Sequence, residues 1–230
     1  LDAATTDDTV RVSSGTFEER DTLVVDTDGV TLEGVTAGDR PVIQSPRTAD
    51  NGLVVAADDV TVANLQFVGD GNGSAVSLDG DDTTVRNVRI QDWETGVSEV
   101  DGTNLIRGTA VVDSGSGILL DGAGGTTVEF ARISRSDTRG ILVLGDNNTI
   151  RGSSVFTSTI GIDIDGNAAT DNTITETIVR GNNDIGVRVR NVPGTLDSNP
   201  SAVIQNNALE SNGVNVFIED GEVNATSNWW

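Results

Sequence analysis

Asn148-Thr149-Ile150-Arg151-Gly152-Ser153-Ser154-Val155-Phe156-Thr157-Ser158-Thr159-Ile160-Gly161-Ile162-Asp163-Ile164-Asp165 is the stretch that decides the fold. It has two parts. Ile150, Gly152, Ser153 and Val155 carry the first, and Gly161, Ile162 and Ile164 carry the second. Apolar and polar residues alternate inside each part, the period of a half-buried strand. Small polar residues lie between them, as a short turn requires.

Working outward, the same unit recurs. The first part returns at 32–35, 62–67, 85–90, 106–111, 128–133, 174–179 and 204–209. The second returns at Gly52-Leu53, Ala75-Val76, Gly96-Val97, Gly117-Ile118, Gly140-Ile141, Gly186-Val187 and Gly213-Val214. Gly96, Gly117, Gly140 and Gly161 are separated by 21, 23 and 21 residues. A steady period in this range means a solenoid. Helical repeats need long amphipathic stretches, whereas these apolar runs are short, rich in Val and Ile, and broken by Gly, Asn and Asp. The Leu-x-x-Leu-x-Leu core of leucine-rich repeats is absent. The expected fold is therefore all-β, a parallel β-solenoid of about nine coils.

Strands are expected at Thr9–Val12, Leu23–Val25 and Val30–Leu32, with Gly15-Thr16-Phe17 as a turn. Regular coils then run from Leu53 to about Ile185. The last strands are expected at Val203-Ile204, Val214–Ile218 and from Val223 onward. Two stretches break the rhythm, 36–50 with Pro41 and Pro46, and 191–200 with Pro193 and Pro200. Proline cannot donate to a ladder, so both read as inserted loops. A single coil cannot bury its own apolar face, so residues 1–230 are expected to form one domain. Asn64, Asn87, Thr109, Ser153, Thr177 and Asn207 sit at the turns. They are expected to face inward and satisfy buried backbone groups along a ladder.

These units resemble the right-handed parallel β-helix repeat shared by polysaccharide lyases, pectin-degrading hydrolases and the accessory proteins of nitrous-oxide reductase. The opening, with Asp8-Thr9-Val10-Arg11-Val12, Gly15-Thr16-Phe17-Glu18-Glu19 and Asp28-Gly29-Val30-Thr31-Leu32, is similar to the first coils of the carbohydrate-binding and sugar-hydrolase branch. The close, Asn224-Ala225-Thr226-Ser227-Asn228-Trp229-Trp230, resembles a segment common there. The resemblance implies a right-handed solenoid, and residues 1–5 as the remnant of an N-terminal cap. It leaves function open, because many chemistries share the scaffold.

The formal net charge is -22, and Lys, His, Tyr, Met and Cys are all absent. A basic face for nucleic acid is lacking, as is an attraction to anionic membranes. No apolar run is long enough to span a bilayer. Acid excess with Arg in place of Lys resembles proteins of halophilic archaea, whose self-repulsion is screened by concentrated salt. An extracellular or cell-surface location is expected.

The missing residue types also limit the chemistry. Without His, Cys or Lys there is no nucleophilic triad, no ordinary zinc site and no soft copper site. Carboxylate-pair glycoside hydrolysis and calcium-assisted β-elimination remain. The candidate catalytic cluster is Asp163, Asp165, Arg188 and Arg190. Ile162, Ile164, Val187 and Val189 point inward, which turns all four outward on consecutive coils, about 5 Å apart. Opposite charges stacked across neighbouring strands are also ordinary decoration of an exposed sheet. The leading expectation is thus a non-catalytic structural, assembly or glycan-binding module, with a polysaccharide lyase or glycosidase as the alternative.

Beside this cluster runs an outward column of Ser77, Ser98, Leu119 and Leu142, then Leu144, read as a glycan or partner surface. Trp93, in the turn Asp92-Trp93-Glu94, is a second candidate for that surface. Trp229 and Trp230 are expected at the end of the solenoid, closing the core or joining a neighbour, including another copy of the chain. The expected partners are carbohydrate or other surface proteins. No cofactor is expected beyond calcium at acidic turns such as Asp79-Gly80-Asp81-Asp82. Glycosylation sequons occur at Asn72, Asn147 and Asn224.

Overall fold

The computed structural model describes residues 3–35, 39–45, 51–122, 124–166, 169–191 and 200–230. Three strands make each coil. The first coil consists of Thr9–Val12, Thr16–Glu18 and Leu23–Val25. Each strand pairs in parallel with its equivalent in the next coil. The result is three sheets, A with ten strands and B and C with nine each, in the recurring order A, B, C. Every strand rises only far enough for one or two side chains to enter the lumen. That is why the apolar repeats are short.

The register is regular. In sheet C, Leu53, Val76, Val97, Ile118, Ile141, Ile162 and Val187 form one inward column. In sheet B, Ile43, Phe67, Ile90, Val111, Ile133, Val155 and Val179 form another. These residues belong to one core extending from Val25 to Leu209. Burying a Val or Ile side chain is worth roughly 1.5–3 kcal/mol relative to exposure. Each coil contributes several of them only because its neighbours cover it.

Side-chain ladders hold the corners where the strands change direction. Between sheets C and A, Thr83 N–H donates to Asn104 Oδ1 (2.9 Å), Asn104 to Thr126 Oγ1 (3.0 Å), Thr126 to Asn148 Oδ1 (2.9 Å) and Asn148 to Asn172 Oδ1 (2.8 Å). A second ladder, between A and B, runs from Ala131 N–H through Ser153 and Thr177 to Asn207. Between B and C, Ser158 N–H donates to Asn182 Oδ1 and Asn182 to Asn212 Oδ1, each at 3.0 Å. Backbone donors that no strand can satisfy are thereby paired inside the corners.

Several expectations need correcting. Asn64 and Asn87 are not part of the inward ladder. They precede it by one residue, with φ of 58° and 53°, where Asn tolerates the left-handed backbone, and Asn87 is exposed. Thr16–Glu18 is a strand rather than a turn, and so is Val42–Gln44 within the expected loop at 36–50. Pro41 sits just before that strand and needs only to accept, which it does from Gln66 N–H at 2.9 Å. The remainder of that loop (36–38 and 46–50), residues 192–199 of the second loop, and Leu1 and Asp2 of the expected cap lie outside the described residues. Among the described residues no helix is long and apolar enough to cross a membrane.

Candidate functional site

Sheet C carries the expected cluster. Ile162 and Ile164 face the lumen, so Asp163 and Asp165 leave from the opposite side of the strand Ile160–Asp165. Arg188 and Arg190 leave in the same direction from Ile185–Arg190. The register sets Asp163 against Arg188 and Asp165 against Arg190, as the alternation predicts. The contact is tighter than strand spacing alone implies. Arg188 donates from Nε to Asp163 Oδ1 at 2.7 Å and from Nη2 to Oδ2 at 2.5 Å. Arg139, from the preceding coil, donates from Nε to Oδ2 at 2.7 Å.

Two guanidiniums therefore roof one carboxylate, whose side chain is 0% exposed. The hydrogen bond that Arg188 donates to Asp163 raises the pKa of Arg188 above its ordinary value, although burial works against it. An arginine held protonated in this way does not accept a proton. A carboxylate whose two oxygens already take three N–H groups has little left to offer a substrate. Asp165 Oδ2 accepts from Arg190 Nη2 at 2.5 Å, while Oδ1 is buried without a partner. The arrangement clasps three consecutive coils. Arg139 is the member that sequence reasoning missed. Its register partner is Ile160, so strand alternation gave no signal that it reaches Asp163.

Leu119 and Leu142 share the outward column with Asp163, and Leu144 lies just beyond the end of its strand. All three are half-buried. Ser77 and Ser98, at the head of the column, are buried, and Ser77 Oγ donates to Asp79 Oδ1 at 2.8 Å. Trp93 is 2% exposed. Its ring lies so close over Gly69 and Gly52 that a Cβ on Gly69 would come within 2.6 Å of it. Trp93 thus fills a space left by two glycines, and its face is not open to a sugar. Trp229 and Trp230 are 77% and 63% exposed and do not close the core. The Trp229 backbone instead begins another rung of sheet B, donating to Asn207 O at 2.8 Å and accepting from Leu209 N–H at 2.7 Å. Asn72, Asn147 and Asn224 are all exposed.

The acidic turns are occupied with backbone. Asp28 Oδ1 accepts from Asp58 N–H, Asp58 Oδ1 from Asp81 N–H, and Asp81 Oδ1 from Thr103 N–H, at 2.8 to 3.1 Å. Among the described residues, no group of three or more Asp or Glu side chains is arranged to hold a metal ion. In the turn Asp79-Gly80-Asp81-Asp82, Asp79 also accepts from Ser77 and Asp81 from Thr103, so two of its three carboxylates are already engaged and the turn does not fit the ion.

Glu99 is a carboxylate that the alternation does not anticipate. It occupies an inward position of sheet C between Leu78 and Leu120, and is 0% exposed. Gly122 N–H donates to Oε2 at 3.1 Å, while Oε1 has no partner. Burial raises its pKa to about 7, and the charges of Asp101 and Asp121 push in the same direction. Such a shift often marks a general acid, but this carboxyl faces the closed lumen. Its consequence is a pH-dependent stability. The folded form holds its proton more tightly than the unfolded chain, so stability is complete below the ordinary value of 4.5. It falls as pH rises toward 7 and stays low above that. Glu99→Gln is expected to raise stability at pH 8 by about 3 kcal/mol while changing it little at pH 4. Urea unfolding at the two pH values checks this, and an equal effect at both would contradict it.

Residues 74–229 match the family model described as right handed beta helix region. The crystal structure of a pectate lyase superposes with a TM-score of 0.74 at 14% identity, over 99% of this chain and 71% of that one. An alginate lyase from Paenibacillus sp. str. FPU-7 gives 0.66 at 16% identity, over 98% and 95%. A periplasmic alginate epimerase gives 0.50 at 12%, over 98% and 77%. At these identities the likeness is one of fold. No curated protein matches the sequence.

Proposed function

Because the chain belongs to the right-handed β-helix family, we propose that it is a polysaccharide-directed β-helix that binds a glycan along its outer wall without cleaving it. The ligand class is supported by its likeness to solved proteins named for acting on pectate and alginate. The observation that carries the non-catalytic part is the roofed Asp163, the best-placed carboxylate on sheet C, whose oxygens are consumed by Arg139 and Arg188. The second reading is a polysaccharide-active enzyme, a lyase or glycosidase. The activities named for the neighbours favour it directly, and the clasped cluster counts against it.

A panel of neutral and acidic polysaccharides tests both readings. Affinity electrophoresis follows binding, while reducing ends and unsaturated-uronate absorbance follow cleavage. Retardation by at least one polymer with no new ends is the expected result. No retardation by any polymer contradicts glycan binding, and new ends would establish the enzyme.

The acidic, lysine-free surface supports an extracellular or cell-surface role in concentrated salt. The melting temperature is then expected to fall when salt is lowered from molar to millimolar, as carboxylate repulsion is unscreened. An unchanged value contradicts this part. The exposed Trp229 and Trp230 support an end that packs against a surface protein or a second copy.

A further inference from the structure

The outer face of sheet B carries exposed arginines against the acidic balance of the chain as a whole. The chain holds 36 acidic residues against 14 arginines, yet a shallow cleft of about 370 Å³ on this face is lined by Arg89, Arg132 and Arg135. Arg135 is neutralised by Asp113, through Nε at 2.6 Å and Nη2 at 2.7 Å. Arg89 and Arg132 are exposed, and among the described residues neither has an ion pair. Arg40, bonded to Asn87 Oδ1 at 2.9 Å, lies close enough that the charge of Arg89, after burial, lowers its pKa. A protein this rich in carboxylates has thus placed two cations in one register column, two strands apart, with no carboxylate between them.

The spacing and the walls describe an anionic ligand. Arg89, Ala110 and Arg132 occupy one register column, so the two free guanidiniums are two strands apart. At the usual strand separation this is roughly 10 Å, about the length of a disaccharide. Between them the floor is low and apolar, with Ala110 and Val112. Gln66 and Gln91 flank it with amide groups suited to hydroxyls. The ring of Phe156 lies in the next coil under the Arg132 guanidinium, at 4.4 Å from its centroid, and fixes it. A flexible uronate chain, in which every second carboxylate falls at this step with a sugar ring face between, suits this row.

The geometry points to the outer face of sheet B as a binding site for a carboxylate-bearing polysaccharide, with Arg89 and Arg132 each taking a carboxylate of alternate sugars. This deepens the polysaccharide reading and rests on it. It places the ligand on a wall that does not include the Asp163 cluster.

Titration calorimetry with polygalacturonate, dextran sulfate and dextran tests the site. Arg89→Gln and Arg132→Gln are each expected to weaken polygalacturonate binding about tenfold, because each removes a charge-assisted hydrogen bond. Arg11→Gln makes the same charge change on sheet A, at a residue paired with Glu33, and is expected to change affinity less than twofold. Melting temperatures verify that all three variants fold. Full-strength polygalacturonate binding by both sheet B variants overturns the site while leaving the polysaccharide reading intact. Equal binding of dextran sulfate and polygalacturonate, weakened as much by Arg11→Gln, means unspecific ion exchange and also overturns it. Binding of no polysaccharide at all overturns the site together with the reading on which it rests.

Discussion

An Ile162→Asp variant is expected to lose its cooperative fold. Ile162 is fully buried, in register between Ile141 and Val187. Its replacement removes roughly 2–3 kcal/mol of burial. It also places a carboxylate in the lumen with no partner, which costs several kcal/mol more or forces protonation. Domains of ordinary stability hold only about 5–15 kcal/mol in total. A stacked structure is vulnerable at its centre, because each coil is covered only by its two neighbours. Ile178→Asp is the contrast. Ile178 lies on the outer face of sheet B and is 42% exposed, so its change is expected to cost less than about 1 kcal/mol. Thermal melts followed by far-ultraviolet circular dichroism separate the two. A cooperative melt for Ile162→Asp near that of the parent would contradict the register.

Asp163→Asn is expected to cost stability rather than a reaction. The substitution leaves Arg139 and Arg188 without their shared carboxylate, although Arg139 retains contact with water. Breaking a buried ion pair by removing one partner typically costs 3–5 kcal/mol. The partial exposure of both arginines puts this case at the low end, about 3 kcal/mol, or roughly 10 °C in melting temperature. The clasp joins the strands Arg139–Val143, Ile160–Asp165 and Ile185–Arg190. Hydrogen exchange is therefore expected to quicken in those three strands together. A parent-like melting temperature would contradict a structural role for the cluster.

The fold was legible because its periodicity is written in adjacent residues. Alternation identified inward and outward sides, and the glycine spacing aligned one coil with the next. That was enough to set Asp163 against Arg188, 25 residues apart. Side-chain reach was not legible in the same way. Whether Asp163 stands open or roofed depends on how Arg139 extends from another coil, and no local pattern records it. Trp93 looked available because its turn is polar, but the space it fills is made by Gly52 and Gly69 on other coils. Glu99 contradicts the alternation outright: its neighbours in register, Leu78 and Leu120, show the position to be inward. Arg89 and Arg132 are 43 residues apart with a whole coil between them. Their shared column appears only once the strands of sheet B are aligned. The corner ladders were partly readable, since Thr109, Ser153, Thr177 and Asn207 were expected inward and are buried. Asn64 and Asn87 were misplaced by one residue, the difference between a left-handed turn position and the ladder beside it.

On the function proposed above, this β-helix holds a polysaccharide and leaves it intact. The most direct measurement is the chain length of polygalacturonate, followed by light scattering during prolonged incubation with an excess of the protein, at a concentration where binding is established by calorimetry. An unchanged chain length, recovered after the protein is removed, is the predicted result. Progressive shortening that disappears in the Asp163→Asn variant would contradict it and place an active enzyme on sheet C.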